Sequence, residues 1–237
     1  DSPEAMVLKG AFIYIAGETA SLNFPVTSGA YQLTNSGRVD GFVIKLDTSG
    51  QRSWASYFGG SDWEYVHDIG VMNSGDVVIT GTTQSYDYPV TNAAFQTSHA
   101  GGSQDGFFAR FSASGALVYS SFIGGATEEG LTAIAVDGND NVILAGTSCS
   151  SNYPTTAGAY QSSVRGCNAV ITVFSSNHSL LWSTFLGGYD LSPGALGVTT
   201  NASNIFVVGQ YAGWDFPVTP NAAQPLFGGR KDAFVAS

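Results

Sequence analysis

An aromatic–proline pair recurs four times in this chain, as Phe24-Pro25, Tyr88-Pro89, Tyr153-Pro154 and Phe216-Pro217, at intervals of 64, 65 and 63 residues. A period of this length means that one supersecondary unit is built repeatedly and buries its apolar faces against its neighbours. A glutamine follows each proline by seven residues: Gln32, Gln96, Gln161 and Gln224. Next comes Asp40, Asp105, Asn168 or Asp232, opening an apolar stretch such as Phe42-Val43-Ile44. In three copies a segment with paired aromatics follows, Trp54/Tyr57, Tyr119/Phe122 and Trp182/Phe185. Each runs into a double glycine: Gly59-Gly60, Gly124-Gly125 and Gly187-Gly188.

Each copy reads as four strands, A to D. In the third copy the pattern predicts A over 131–136, B over 141–145, C over 169–174 and D over 180–186. Asp137-Gly138-Asn139-Asp140 and the stretch 112–115 have the composition of hairpin turns. Strand B is apolar on both faces in every copy: Ile13–Ala16, Val77–Ile79, Val142–Ala145 and Ile205–Val208. A strand of that kind is covered on both faces, and sheets stacked around an axis supply the cover. The expected fold is therefore all-β: a single-domain β-propeller over residues 1–237, with four blades of four antiparallel strands. Its repeats fall at about 5–60, 61–125, 126–188 and 189–237. The last copy reaches only Asp232, Ala233, Phe234, Val235, Ala236 and Ser237. That is strand C, so the last blade lacks its outer strand and presents an edge suited to assembly. The B–C connections, near 18–39, 83–104, 148–167 and 211–231, are expected to crowd one face as ordered, self-packed loops.

These motifs together resemble the SBBP-type (seven-bladed β-propeller) repeat. The resemblance rests on the aromatic-x-x-aromatic strand into Gly-Gly and on hairpins ending Gly81-Thr82-Thr83 or Gly146-Thr147-Ser148. It rests also on Phe24-Pro25-Val26-Thr27 and Asp232-Ala233-Phe234-Val235. It implies an exported bacterial or archaeal surface protein of a kind often without known activity. The chain departs from the pattern at Asn168, at Val173 (where Lys45 and Arg110 stand in other copies) and at Ala223. Four copies support four blades rather than seven.

Composition narrows the partners. The net charge is -10 and only eight basic residues are scattered along the chain, so no cluster exists to neutralise phosphates or an anionic membrane. No apolar run reaches the roughly 18 residues of a membrane span, and the N-terminus lacks a signal-peptide pattern. An exported protein would thus be represented here in mature form. Charged residues make up 11%, against about 25% in ordinary globular domains, which favours an extracellular or cell-surface protein that packs with others.

Cys149 and Cys167 flank the third long loop and align with Gln84 and Gln104, on antiparallel neighbours. A disulfide across the loop base is expected, with two reduced thiols as the alternative. Trp63 and Trp214 occur in single copies on the long-loop face and suit stacking on a sugar or a protein contact. Packing within the loops is the competing role. Asp62, Glu64, Glu128, Glu129 and Asp190 follow the double glycines and are expected on a solvated face. The double glycines are expected to serve turn dihedrals. Asp137–Asn141 lacks the spaced ligands of a calcium loop. Asn177-His178-Ser179 and Asn201-Ala202-Ser203 match the N-glycosylation acceptor. His67, His99 and His178 have neither metal-binding spacing nor a nucleophile motif nearby. The sequence therefore points to a non-catalytic, cofactor-free extracellular structural protein that assembles with copies of itself. A carbohydrate- or protein-binding module using the long-loop face is the alternative.

Overall fold

The computed structural model describes residues 1–189 and 194–237. Its described residues form fifteen strands and no helix, arranged as four antiparallel sheets that follow one another along the chain. The first sheet contains β1 (Ser2–Lys9), β2 (Phe12–Thr19), β3 (Asp40–Asp47) and β4 (Arg52–Phe58). The second contains β5 (Glu64–Val71), β6 (Val77–Thr83), β7 (Asp105–Phe111) and β8 (Leu117–Ile123). The third contains β9 (Glu129–Val136), β10 (Val142–Ser148), β11 (Asn168–Phe174) and β12 (Leu180–Leu186). The fourth has three strands: β13 (Gly194–Thr200), β14 (Ile205–Tyr211) and β15 (Asp232–Ala236). In every sheet the spatial order is the sequence order.

Several strands outrun their apolar cores. β9 begins at Glu129 rather than at 131, β10 continues through Gly146 to Ser148, and β1 starts at Ser2 rather than at Ala5. The added positions are polar, glycine or, at Pro3, proline, so apolar patterning alone did not reveal them. They are held by backbone pairing, as in Ser148 opposite both Glu129 and Asn168.

The first strand of each sheet carries a β-bulge at the same place. The ladder skips Glu4 between Pro3 and Ala5, and His67 between Val66 and Asp68. It skips Thr132 opposite the step from Ala145 to Gly146, and Leu196 between Ala195 and Gly197. A bulge turns the strand and raises its twist, and here it presses a carbonyl onto the neighbouring strand. A Cβ on Gly81 would lie 1.9 Å from the Tyr65 carbonyl oxygen, and one on Gly146 would lie 2.0 Å from that of Gly130. Only glycine fits opposite the bulge, which explains its recurrence in the second strand.

Consecutive sheets pack face to face. The front of the first sheet (Tyr14, Ala16, Val43, Trp54) meets the back of the second (Val77, Ile79, Phe107) in one core cluster. Val78 and Phe108 on the second sheet meet Ile134, Leu144 and Val170 on the third. Ile143, Ala145 and Ile171 on the third meet Val207 and Phe234 on the fourth. Every extensive contact between sheets joins neighbours in sequence. Each fully buried phenylalanine contributes roughly 2–3 kcal/mol from the apolar surface removed from water. Phe107, Phe108, Phe111, Phe122 and Phe174 all belong to these layers.

The long loops are ordered, as expected. The Thr after each aromatic-proline pair reaches the outer strand: the amides of Thr27, Thr91 and Thr156 donate to the carbonyls of Ala55, Ser120 and Ser183. The loop thereby covers an edge that would otherwise offer unpaired backbone groups. The third loop is closed by the disulfide Cys149–Cys167, with Cα atoms 4.0 Å apart, one step beyond the Ser148–Asn168 pair that ends the β10–β11 ladder. Closing a loop of this length reduces unfolded-chain entropy by about 3 kcal/mol, equivalent to roughly 6–12 °C for a chain of this size. Reducing the bond, or replacing both cysteines by serine, is expected to lower the melting temperature by about that amount. Calorimetry with and without reductant checks this, and an unchanged melting temperature would contradict it.

Candidate functional site at the sheet junctions

The loop glutamine does the same work in each complete repeat. Gln32 Nε2 donates to the Asp40 carboxylate at 2.5 Å and to the Thr34 carbonyl at 3.0 Å, while its Oε1 accepts the Gly59 amide at 3.0 Å. Gln96 repeats this with Asp105 (3.1 Å), Ser98 (2.9 Å) and Gly124 (2.9 Å). Gln161 does so with Asn168 (2.9 Å), Ser163 (2.8 Å) and Gly187 (3.2 Å). In the fourth sheet Gln224 Nε2 keeps its bonds to Asp232 and to the Leu226 carbonyl. One side chain thus pins the loop, the head of the third strand and the exit of the fourth.

The carboxylate held in this way is buried against a glutamate from the next sheet. Glu64 and Glu129 are both fully buried, so the expectation of a solvated acidic face fails for them. The first residue of β5 or β9 pairs inward with the end of the adjoining strand rather than facing water. Glu64 accepts from Thr83 Oγ1 (2.7 Å) and the Gly60 amide (2.9 Å), and Glu129 accepts from Ser148 Oγ (2.7 Å) and the Gly125 amide (2.7 Å). Glu128 is exposed and takes a hydrogen bond from Ser103, and Asp62 is half-buried beside Arg38. Asp190 lies outside the described residues.

Turn dihedrals account for Gly187, whose φ is +152°, but not for the double glycines of the first two sheets. Gly59, Gly60, Gly124 and Gly125 do not take positive φ; the space around them is what excludes a side chain. A Cβ on Gly124 would sit 2.6 Å from Asp105 Oδ1 and 2.8 Å from Glu129 Oε2, and one on Gly59 would meet Glu64 and Asp40. The second glycine is pressed by the next loop, with Ser85 Cβ 2.6 Å from a Cβ on Gly60 and Ser150 Cβ 2.4 Å from one on Gly125.

Two carboxyls brought together without water cannot both ionise cheaply. Burial pushes Glu64 up to about 7, and the nearby Asp40 charge adds to the rise. Asp105 is also pushed to about 7, first by burial and then by Glu129. Its Oδ1 accepts no hydrogen bond, and the nearest cationic candidate, His99 at 3.9 Å, is held neutral because burial lowers its pKa. The arrangement therefore retains a proton at neutral pH. In the third sheet Asn168 replaces the aspartate, and its amide Nδ2 donates to the Gly188 carbonyl at 2.7 Å and the Cys167 carbonyl at 2.8 Å. The position aligned with Glu64 and Glu129 is Pro193, outside the described residues. Where the second carboxyl is missing from the sequence, the first is replaced by a permanently neutral donor.

The tryptophans separate. Trp63 is half-buried and stacked on Tyr65 at 5.7 Å, with its carbonyl accepting the Gln84 amide, so it is largely a packing residue. Trp214 is 84% exposed and touches Phe227 edge-on. Asp137 Oδ1 accepts the amides of Asn139 and Asn141, the bonding of a hairpin turn. His178 lies flat on Tyr119 at 4.0 Å and is lowered to about 4 by burial and then by Arg110. His67 is the bulge residue of β5, with its pKa lowered by burial. A shallow groove open to solvent is lined by Ser61, Asp62, Gln84, Ser85, Tyr86 and Asp87. The buried carboxyl pairs could have been suspected from Asp40/Glu64 and Asp105/Glu129 recurring at 24-residue spacing. Which way the glutamates face is not written in that spacing. A scan against protein-family models found no match to this chain, and a search of curated proteins found none either.

The raised carboxyls fix the sign of a pH effect. Free carboxyls titrate near pH 4, so between about pH 4 and 7 the folded chain holds protons that the unfolded chain has released. Stability from Glu64 and Asp105 is thus greatest at the acidic end of that window and is lost as pH rises through 7. Asp87 and Asp215 act oppositely. The Ser61 amide lowers the first and the Tyr211 hydroxyl the second, so their contributions fade below about pH 4. His67, His99 and His178, lowered by burial, act in the opposite sense below about pH 6.5, so the carboxyl effect is read above that point, where thermal melts are expected to show stability falling between pH 6.5 and 8. Asp105→Asn, which copies Asn168, is expected to flatten that fall; an unaltered pH profile would refute the assignment of the fall to the buried Asp105 carboxyl. Gly124→Ala is expected to cost at least about 1–3 kcal/mol in denaturant titrations, as overpacking of a filled site does.

Proposed function

We propose that this protein is a non-catalytic extracellular structural subunit, a four-bladed β-propeller of the SBBP-repeat kind, that assembles with copies of itself into a filament or tube. In this reading the four sheets are blades, the bulged first strands lie nearest the axis, and the loop-covered fourth strands form the rim. The observation that supports it is one design repeated in four consecutive sheets, each with a bulged first strand, packed face to face in sequence. Large apolar side chains left exposed on the loops, such as Leu22 at 83% and Leu226 at 80%, favour contact with another chain. The disulfide fits an oxidising compartment, and among the described residues no helix is long and apolar enough to cross a membrane.

A second reading, a carbohydrate- or protein-binding module, is favoured by one residue. Trp214 is exposed on a loop that also displays Leu226 at 80%, and such aromatic surface suits a sugar face or a partner protein. Electron microscopy and solution scattering of the purified chain distinguish the two. Assemblies of regular subunit number are expected, and a monodisperse monomer would overturn the structural reading. The binding reading predicts glycan or surface-protein capture that Trp214→Ala abolishes.

A further inference from the structure

The three junctions between sheets form a series in which one atom changes its role. Each loop glutamine holds one atom of the residue that heads the third strand: Asp40 Oδ2, Asp105 Oδ2 or Asn168 Oδ1. The other atom takes an equivalent place in each. A Cβ on Gly59, Gly124 or Gly187 would meet Asp40 Oδ1 at 2.9 Å, Asp105 Oδ1 at 2.6 Å or Asn168 Nδ2 at 2.6 Å. At the third junction that atom donates, from Asn168 Nδ2 to the carbonyls of Gly188 and Cys167. At the first it accepts, with the Gly37 amide 3.1 Å from Asp40 Oδ1. At the second it does neither: Asp105 Oδ1 has no hydrogen-bond partner, although Asp105 is fully buried.

Loop length explains the difference. Gln96 precedes its aspartate by nine residues, and Gln32 precedes its own by eight. In the longer loop Gly101 and Gly102 take positive φ and press on Ala126 and Thr127, so no amide turns towards Oδ1. The orphan oxygen instead faces a second acid, because the point 2.6 Å from it is also 2.8 Å from Glu129 Oε2. Oxygens this close to one point can share one ion at bonds of about 2.3–2.6 Å. The carbonyls aligned with the two that Asn168 engages belong to Gly125 and Gln104. His99 Nδ1, 3.9 Å from Asp105 Oδ1, already accepts the Gly101 amide.

The geometry points to a calcium site at the second junction, held by Asp105 Oδ1 and Glu129 Oε2 and completed by backbone carbonyls. Two carboxylates neutralise a divalent ion, whereas a monovalent one leaves a charge buried. No third His, Cys, Asp or Glu completes a metal cluster among the described residues, so the donors are oxygens in an irregular set. That suits Ca2+; Mg2+ demands a near-octahedral shell, and Zn2+ favours nitrogen and sulfur. With two carboxylates the affinity falls in the roughly 10⁻⁴–10⁻³ M range of extracellular calcium modules. The ion ties β7 of the second sheet to β9 of the third, in the place that a proton takes at lower pH.

Thermal melts at pH 8 test the site. Calcium chloride at about 10 mM is expected to raise the melting temperature of the unaltered chain by about 3–10 °C. Magnesium chloride at the same concentration should give less than about a third of that shift. Asp105→Asn, which supplies the donor found at Asn168, should abolish the calcium shift, while Asp40→Asn at the first junction should keep it. A shift retained in Asp105→Asn, or lost equally in both variants, would overturn the assignment to this junction. An equal shift with magnesium would mark a general salt effect, and no shift in the unaltered chain would remove calcium binding; either overturns the site. Crystals of the unaltered chain grown with calcium ask the same question without a variant. Anomalous density is expected between Asp105 and Glu129, and its absence there would refute the site.

Discussion

A single glutamine amide, used at both ends, organises each complete repeat. Its NH2 group binds the aspartate or asparagine at the head of the third strand and a carbonyl of its own loop, and its oxygen takes the first amide of the double glycine. Three segments distant in sequence are thus brought to one point. Because the carboxyl is held away from solvent, whatever approaches from the next sheet must suit it. The glutamate of that sheet does so by accepting the second glycine amide and a hydroxyl of its own sheet, and the glycines are needed because a Cβ between the acids has no room.

The same reasoning accounts for the third junction, where the rule is broken. An aspartate facing no second acid would carry an uncompensated buried charge, which is costly. Asn168 removes the charge and supplies a donor to Gly188. Tyr211, in the place of Thr83 and Ser148, sends its hydroxyl to Asp215 at 2.5 Å instead of to an acid on its own sheet. The substitutions that look like lapses of the repeat in the sequence are physically linked.

The sheet order, the fifteen strands, the ordered loops and the disulfide were legible in the sequence because each rests on a local signal. Doubly apolar strands need two covers, Gly and Asn mark turns, and two cysteines at the ends of paired strands lie close. The junctions were less legible. Glu64 and Glu129 read as surface residues because acidic side chains usually are, and their inward direction follows from a strand beginning two residues earlier than its apolar core. For Trp63 the sequence left an exposed contact and loop packing as alternatives; its half-burial comes from stacking on Tyr65, a neighbour only visible once the strand direction is known. The bulge, which decides where Gly81 and Gly146 are required, leaves no local mark, since the skipped residues Glu4, His67, Thr132 and Leu196 share no chemistry.

Three of the eight basic residues tie one sheet to the next. Lys9 reaches the Val71 carbonyl at 2.9 Å, and Lys45 spans to the Ala113 carbonyl at 3.1 Å, with its ammonium 4.2 Å above the Phe12 ring. Arg110 grips Asp76 through Nε and Nη2 at 2.8 and 2.6 Å, and reaches the Ser176 carbonyl at 3.0 Å. Each crosses from one sheet to a turn or strand end of the next, capping a backbone oxygen that the ladder leaves over. At the third junction Val173 occupies the aligned position and joins the apolar layer against the fourth sheet. The other five basic residues, Arg38, Arg52, Arg165, Arg230 and Lys231, lie exposed on the surface.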